Sequence, residues 1–300
     1  MNILITGGSG FIGRHMCRAL SREGHGLTVL SRRPEQVGAI CGASCAGIGS
    51  LERIDEHEHF DAIINLCGES IAARRWTNGR KAILKASRID VTAGILSLIR
   101  RCASRPAVLI NASAVGFYGN QGDRELVETS TAVDDFGHEL CSEWENEALK
   151  AQSIGLRTSV MRIGLVIGRQ GGFLKPMLLP FRLGLGGRIA TGRQWMSWVH
   201  LDDLIEIIRF LLENQNLHGI FNATAPRPVT NREFTSTLAR LLRRPAFMTI
   251  PGFVLSLLLG EMSGLLTGGQ KVLPARLLDA GFPFRFTRLE DALRDELKPD

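Results

Sequence analysis

The sequence predicts an α/β fold in which a mainly parallel, doubly wound sheet is covered by helices on both faces and carries a smaller C-terminal lobe. Short apolar runs alternate with segments of helical periodicity up to residue 163, and after Gly168 this alternation gives way to a glycine-punctuated stretch. Right-handed crossovers between parallel strands make such a sheet doubly wound. We therefore divide the chain into residues 1–168 and residues 169–300, with a return to the sheet at about 198–224.

The individual elements follow from periodicity and from the Gly, Pro, Asn and Ser residues that interrupt it. Strands are predicted at residues 2–6, 27–30, 61–65, 107–111, 157–163 and 219–223. Helices are predicted at about residues 12–22, 79–101, 136–152, 173–181, 202–214 and 231–242. The tail should contain an apolar helix after Pro251 and helical segments at residues 273–280 and 289–297.

Composition and charge narrow the class of protein. The chain has 300 residues, of which 44% are hydrophobic and 22% charged, as is typical of a globular protein. The longest apolar candidate, residues 253–259, is too short to span a bilayer, and the N-terminus lacks the features of a signal peptide. We therefore expect no membrane partner and a cytoplasmic location.

The charged and cysteine residues are dispersed along the chain. The net charge is +6, but the basic residues form no stripe with interleaved aromatics, so we expect no nucleic-acid partner. Arginine outnumbers lysine, which is compatible with an anionic small-molecule substrate, although a compositional bias would look the same. The six cysteines lack the spacing of a disulfide or zinc framework, and we predict reduced thiols and no metal site.

The most informative motif is a glycine-rich turn between the first strand and the first helix. Gly7, Gly10 and Gly13 have the spacing of a dinucleotide-binding turn of the Rossmann type. Glycines permit the tight turn and remove the Cβ atoms that would hold the backbone away from a pyrophosphate, while the helix N-terminus supplies amide donors. We predict that this turn, including Ser9, Phe11 and Ile12, binds the phosphates of a dinucleotide.

The end of the second strand predicts which dinucleotide is bound. NAD-binding chains usually carry an acidic residue there, which accepts hydrogen bonds from the ribose hydroxyls. This sequence has Ser31, Arg32 and Arg33 instead. A guanidinium at that place would pair with a 2′-phosphate. We therefore favour NADP(H) over NAD(H), against the alternative that both arginines are only solvated.

Further motifs resemble a known family. Residues 6–13, 65–69, 111–119, 162–168 and 198–203 resemble, in order and distance, the extended short-chain dehydrogenase/reductases. More narrowly, residues 65–69, 75–77, 184–187, 268–274 and 277–282 look like the atypical NAD(P)-dependent epimerase/dehydratase subfamily, which has its own C-terminal domain. The resemblance covers essentially the whole chain.

The resemblance implies further residues on the cofactor side. Ser113 falls where the family places a hydroxyl that hydrogen-bonds the reacting carbonyl or alcohol, and His200 begins a motif near the substrate lobe. Glu69 and Arg88 are polar residues on the same side, and Arg88 could reach the cofactor or pair with Glu69. The segments that would line the adenosine, ribose and nicotinamide are Leu66, Cys67 and Gly68, Ala112, and Arg162, Ile163 and Gly164.

One departure from the family limits what can be carried over. The family uses a Tyr-x-x-x-Lys pair, in which the lysine lowers the pKa of the tyrosine. Here Phe136 and Leu140 stand at the corresponding positions. Tyr118, the one tyrosine, is a candidate replacement, with a packed aromatic as the alternative. Glu139, Glu143, His138 and Cys141 have suitable chemistry with weaker positional support.

Two functional hypotheses follow. The first is an NADP-dependent oxidoreductase or nucleoside-sugar-epimerase-like enzyme that acts on a small hydroxyl or carbonyl compound, with Ser113 orienting the substrate oxygen. The second is a catalytically silent NADP(H)-binding regulator or redox sensor, supported by the missing acid/base pair. A homodimer is an expectation from the class of protein only.

Overall fold

The computed structural model describes residues 1–298, and its core is one seven-stranded parallel sheet. The strand order is β7-β6-β5-β4-β1-β2-β3, which confirms the predicted doubly wound sheet. The strands are β1 (Asn2–Thr6), β2 (Gly26–Leu30), β3 (Cys45–Ile48), β4 (Ala62–Asn65), β5 (Val108–Ala114), β6 (Arg157–Ile163) and β7 (Gly219–Ala223).

Eleven α-helices are found within residues 1–298, and they include all the predicted ones. They are α1 (Phe11–Arg22), α2 (Val37–Cys41), α3 (Asn78–Arg101), α4 (Phe136–Leu149), α5 (Leu174–Arg182), α6 (Leu201–Glu213), α7 (Asn231–Leu242), α8 (Gly252–Leu259), α9 (Gly264–Thr267), α10 (Ala275–Asp279) and α11 (Leu289–Glu296). Short 3-10 segments lie at Pro34–Gln36, Leu51–Arg53, Val115–Tyr118, Lys150–Ile154 and Gly260–Ser263.

Side-chain alternation along the strands builds a core on each face of the sheet. Ile3 and Ile5 of β1 point into one core, together with apolar residues of α1, α2 and α6, whereas Leu4 points into the other, with residues of α3. This alternation has the period of two that is expected of a strand. Because both faces of β1 are buried, its sequence is a continuous apolar run.

The C-terminal part of the chain adds a third core and several short strands. Residues of α5, α7 and α11 pack together, and Trp198 is fully buried among them. β7 returns to the central sheet beside β6, as predicted. The short strands are Glu125–Leu126, Leu165–Gly168, Gly171–Gly172, Gly187–Ile189, Trp195–Met196, Trp198–His200, Val229–Thr230, Met248–Ile250 and Lys271–Val272.

Two elements of the sheet region, β3 and α2, were not predicted from the sequence. The edge strand β3 contains Ala46 and Gly47 in place of the β-branched residues that mark strands, and α2 is only five residues long. The strand predicted at residues 107–111 extends further, to Ala114. Along residues 1–298 we find no helix of the length and apolarity needed to cross a membrane.

Candidate functional site

The parallel register places the predicted site residues along one edge of the sheet. Thr6 at the end of β1 pairs with Leu30 of β2 on one side and with Asn65 of β4 on the other, and Asn65 pairs with Asn111 of β5. The segments that follow these strands therefore start side by side. Ligands of doubly wound sheets bind at this carboxyl edge.

A buried polar network fixes the strand ends beneath that edge. The Thr6 hydroxyl donates to Asn65 Oδ1 at 2.5 Å, and Asn65 Nδ2 donates to Asn111 Oδ1 at 2.6 Å and to the Thr92 hydroxyl of α3 at 2.9 Å. Trp144 Nε1 donates to the same Thr92 hydroxyl at 3.1 Å. Because each buried polar group has a partner, the network orders the edge without an unpaired desolvated group.

The glycine turn has the geometry that its spacing predicts. Gly7 has a φ of +72°, and a Cβ there would lie 2.5 Å from the Leu66 carbonyl oxygen. A Cβ on Gly13 would lie 2.3 Å from the Gly7 carbonyl oxygen, so the turn and α1 pack too closely for any side chain. Gly10 is the N-cap of α1, and across the described chain no side chain caps that helix end. The first amides of α1 therefore face outward as available donors.

A hairpin after β6 covers the start of α1. The ring of Phe11 lies against Gly168, Gly171 and Gly172, where added Cβ atoms would come within 2.2 to 2.9 Å of ring carbons. Arg14 reinforces the contact, since its guanidinium donates to the Gln170 carbonyl at 3.1 Å. The phosphate turn is thus tied to the segment that leads into the C-terminal lobe.

The residues at the end of β2 are exposed. The Arg32 side chain is 92% exposed, and its guanidinium lies 3.2 Å from the Glu69 carboxylate. The same carboxylate lies 3.5 Å from Arg80. The Ser31 hydroxyl accepts a hydrogen bond from the Arg33 amide at 3.1 Å. Among residues 1–298, the Arg32 side chain makes one ion pair, with Glu69. Such an exposed pair is weak, so Arg32 can exchange Glu69 for a different anion.

Arg88 reaches the backbone of Glu69 and leaves its carboxylate to other arginines. Its guanidinium donates to the Glu69 carbonyl at 3.0 Å and to the Leu84 carbonyl at 3.1 Å. It lies so close under Gly68 that a Cβ there would be 2.9 Å from the guanidinium carbon. Burial lowers the pKa of Arg88 below its usual value. Arg88 therefore supports the loop of residues 68–69 from below.

A buried ion pair joins Ser113 to helix α4. The Ser113 hydroxyl donates to Glu145 Oε1 at 2.6 Å, and Arg162 donates to the two carboxylate oxygens from Nε and Nη2 at 2.8 and 2.7 Å. The Glu145 and Arg162 side chains are 5% and 4% exposed. Burial alone would lower the pKa of Arg162, but the hydrogen bonds and charge of Glu145 raise it above its usual value.

Sequence reasoning missed Glu145. The signal was available, because Glu145 stands beside Trp144 within the apolar stripe of α4 that also contains Leu140, Cys141 and Ala148. A carboxylate on the buried face of a helix requires a partner. Only the pairing of β5 with β6, which sets Ser113 opposite Arg162, reveals what that partner is.

Tyr118 is fully buried, and its hydroxyl donates to Asn222 Oδ1 at 2.7 Å. Burial raises the pKa of this phenol, which moves it away from proton exchange near neutral pH. The Arg162 guanidinium lies against the adjacent Phe117, 3.3 Å from the ring centroid. These contacts favour the packing role for Tyr118, which was the alternative to catalysis.

The positions of the family's tyrosine and lysine are apolar and closed. Phe136 and Leu140 are 6% and 2% exposed and pack with Leu84. The Phe136 ring makes an edge contact with Trp76, with 4.9 Å between ring centroids. On the outer face of α4, Glu139 and Glu143 both bind Lys85 of α3 at 2.6 Å. Neither carboxylate is directed at Ser113.

The remaining predicted residues divide between the edge and the interior. Leu66 and Cys67 are half-buried, and burial raises the pKa of the Cys67 thiol. Ala112 is buried, whereas Ile163 and Gly164 are half-buried at the end of β6. His200 accepts from the Asp202 amide at 3.2 Å as the N-cap of α6, and its ring lies against Phe286.

His138 and Cys141, the other candidates for proton transfer, also have structural contacts. The His138 ring is 2.8 Å from the Phe117 carbonyl oxygen, and burial raises the pKa of Cys141 to about 11. For residues 1–298, no three His, Cys, Asp or Glu side chains are grouped so that they could hold a metal ion.

The edge fits a dinucleotide. Three features lie at the neighbouring ends of β1 and β2. They are the side-chain-free cradle between Gly7, Gly10 and Gly13, the uncapped start of α1 and the exposed guanidinium of Arg32. Backbone amides and a helix N-terminus suit a pyrophosphate, and an arginine suits a further phosphate. The donors present therefore match a phosphorylated dinucleotide.

Comparison with known proteins identifies the family. The profile of the NAD dependent epimerase/dehydratase family matches residues 3–223, and that of a domain of unknown function, DUF1731, matches residues 250–296. Epimerase family protein YfhF of Bacillus subtilis (strain 168) is 40% identical, over 98% of this chain and 97% of its own. The chloroplastic SDR39U1 homolog of Arabidopsis thaliana is 38% identical, over 98% of this chain and 86% of its own.

A solved structure matches over nearly the whole chain. The human epimerase family protein SDR39U1 (isoform 2), crystallised with NADPH, is 33% identical, covers 98% of both chains and superposes with a TM-score of 0.89. The fold, the glycine turn and these matches across nearly the whole length all indicate the same family. The chain belongs to the NAD dependent epimerase/dehydratase family.

Proposed function

We propose that the chain binds NADP(H) and catalyses hydride exchange with a small carbonyl or hydroxyl compound, as an oxidoreductase or a nucleoside-sugar-epimerase-like enzyme. The observation that carries the proposal is the exposed Arg32 beside the glycine cradle, at a strand end that has no carboxylate of its own. The human relative that was crystallised with NADPH supports the choice of nucleotide.

In this proposal, some residues of the chain bind the cofactor and others position the substrate. Gly7, Gly10 and Gly13 leave room for the pyrophosphate. Arg32 gives up its ion pair with Glu69 and binds the 2′-phosphate. The bound nicotinamide supplies hydride chemistry, so the protein has to position the substrate and manage a proton. Because the Ser113 hydroxyl already donates to Glu145, its oxygen is available to accept a hydrogen bond from a substrate hydroxyl.

Glu145 gives Ser113 a route for that proton. When a substrate alcohol is oxidised, its hydroxyl proton passes to Ser113 Oγ as the Ser113 proton passes to Glu145 Oε1, and reduction runs the same transfers backwards. Arg162 holds the carboxylate in place through two hydrogen bonds. This relay takes over the role of the tyrosine and lysine that Phe136 and Leu140 replace.

A second candidate function is a catalytically silent NADP(H)-binding regulator or redox sensor. The closed apolar cluster of Phe136, Leu140 and Leu84 favours it, because no ionisable group remains at the family's acid/base positions. The two functions share cofactor binding and differ in turnover.

Titration of the purified protein with NADPH and NADH, followed by tryptophan quenching, tests cofactor binding. Oxidation of bound NADPH is then measured against a panel of aldehydes and ketones. NADPH-selective binding with turnover supports the enzyme. Selective binding without turnover across the panel favours the regulator, and the absence of binding by either nucleotide contradicts both.

The substitution Arg32→Ala should weaken NADPH binding by about tenfold to a hundredfold and leave NADH binding nearly unchanged. A hydrogen bond to a charged group contributes about 1.5–3 kcal/mol, and a factor of ten corresponds to 1.4 kcal/mol. Fluorescence titration of both nucleotides measures the two affinities. The control is Arg53→Ala, which removes another exposed arginine. Equal loss for both nucleotides would remove Arg32 from the 2′-phosphate site.

The substitution Ser113→Ala should lower turnover by about a hundredfold or more while NADPH affinity stays within a factor of two or so, as expected for the loss of a proton-transfer group. The measurement compares kcat with the dissociation constant of NADPH in the same preparation. Ser97→Ala, on the exposed side of α3, is the matched control. Full activity of the Ser113 variant would show that the relay is not used.

A further inference from the structure

A small cavity lies at the carboxyl ends of β5 and β6 and faces the C-terminal lobe. Val115 directly follows β5 and Leu165 directly follows Gly164, so the cavity begins where these two strands end. Its volume is about 60 Å³. A cavity needs roughly 10–15 Å³ for each water-sized probe, so this one admits a group of about four to six non-hydrogen atoms.

The lining of this cavity is uncharged and more apolar than polar. Within the described chain, no Asp, Glu, Lys, Arg or His lines it. Its apolar walls are formed by Val115, Leu165, Phe173, Ile189, Met196 and Leu266, together with the ring of Trp195. The C-terminal segment closes one side, because a Cβ on Gly269 would lie 2.2 Å from the Trp195 carbonyl oxygen. An ionised group here would lose its hydration without gaining a partner.

Three of the four polar side chains of the lining, those of Gln194, Ser197 and Asn231, make hydrogen bonds. The Ser197 hydroxyl donates to the Gln270 carbonyl and accepts from the Val272 amide, and Asn231 Oδ1 accepts from the Ile189 amide at 2.8 Å. Gln194 Nε2 donates to two backbone carbonyls, but no donor among residues 1–298 reaches its buried Oε1. The Gln270 side-chain amide likewise has no hydrogen bond among residues 1–298, so the lining offers the Gln194 Oε1 acceptor and one free amide group.

We infer that the part of the substrate that enters this cavity is uncharged and mainly apolar, a short aliphatic chain or small ring with few polar atoms. This inference rests on the function proposed above and specifies its substrate class. A nucleoside diphosphate requires arginine or lysine at its phosphates. The basic residues next to lining residues in the sequence do not join the lining: Arg188, Arg193 and Arg232 are exposed, and Lys271 pairs with Glu125 at 3.0 Å.

Binding in complexes that cannot react tests the inference. The protein loaded with NADPH is titrated in a calorimeter with n-butanol, n-pentanol and cyclopentanol, which have five or six non-hydrogen atoms, and separately with UDP-glucose. NADPH and an alcohol are both reduced, so the measured heat reports binding alone. The same alcohols are titrated into the protein without nucleotide, because this chain forms the cavity by itself.

Two variants test whether the measured heat of alcohol binding comes from this cavity. Leu266→Trp should fill it and weaken alcohol binding by at least about tenfold, with NADPH affinity unchanged. Leu278→Trp, at a half-exposed position on α10 outside the lining, should change neither. Thermal unfolding of both variants verifies that they are folded.

The outcomes are distinct. Alcohol binding that Leu266→Trp removes and Leu278→Trp retains supports the inference. Absence of binding by all three alcohols overturns it, as does UDP-glucose binding that survives Leu266→Trp and is lost in Arg193→Ala. Failure of NADPH to bind in the first titration counts against the proposed function, and the alcohol titrations without nucleotide still decide the chemistry of the cavity.

Discussion

Replacing Glu145 by alanine should lower the free energy of unfolding by about 3–5 kcal/mol. The substitution leaves the Arg162 guanidinium buried without its carboxylate and removes the acceptor of the Ser113 hydroxyl. Two charges cost little when they are buried together, but one alone retains its full desolvation cost. Urea-induced unfolding of the variant and of the unchanged protein gives the difference directly.

The matched control is Glu143→Ala, on the same helix but 43% exposed. Its partner Lys85 keeps Glu139, and exposed ion pairs contribute about 0–1 kcal/mol, so this variant should be nearly neutral. Glu145→Gln retains an acceptor for Ser113 and should lie between the two. If Glu145→Ala were as stable as Glu143→Ala, Arg162 would have found another anion or water, and the relay would lose its basis.

Gly13→Ala should reduce NADPH affinity by about a hundredfold or more. The new Cβ would lie 2.3 Å from the Gly7 carbonyl oxygen and 2.6 Å from Gly8 Cα, both of them backbone atoms that cannot rotate away. The turn must therefore shift, which costs about 1–3 kcal/mol of folding free energy. Two misplaced hydrogen bonds to a charged phosphate, each contributing about 1.5–3 kcal/mol, account for the loss of affinity.

Gly79→Ala provides the comparison for this substitution. Gly79 lies in the first turn of α3 with nothing within 4 Å of an added Cβ, so alanine there should leave NADPH affinity unchanged. Titration of both variants with NADPH, combined with a thermal melt, separates binding from stability. Normal affinity in folded Gly13→Ala would mean that the phosphates bind elsewhere on the edge.

The local features of this chain could be predicted from the sequence. Glycine spacing, the missing acidic residue near Arg32 and the apolar runs are local patterns, and each of them depends on a few consecutive residues. Such patterns sufficed for the strands of the central sheet other than β3. They failed at β3, where a half-exposed edge strand has small residues and no apolar alternation.

The pairings between distant residues could not be predicted in this way. Glu128 accepts from the Asn222 amide, 94 residues away in the sequence, and Glu69 pairs with Arg32 and Arg80 although Arg88 was the partner considered from the sequence. Glu145 shows the same limit, since its burial could be inferred from α4 but its two partners lie on β5 and β6. Charged side chains are long, and only the packed structure selects among several reachable partners.

The enclosure of Tyr118 makes this residue an optical reporter of folding. It is the one tyrosine of the sequence, and burial raises its pKa. In the unfolded chain the phenol ionises near pH ~10, whereas the folded chain still retains the proton there. Above that pH the unfolded state is therefore favoured by proton release, and phenolate absorbance should appear only in molecules that have opened around the Asn222 contact. A single wavelength would thus count unfolded molecules in alkaline solution, without any label.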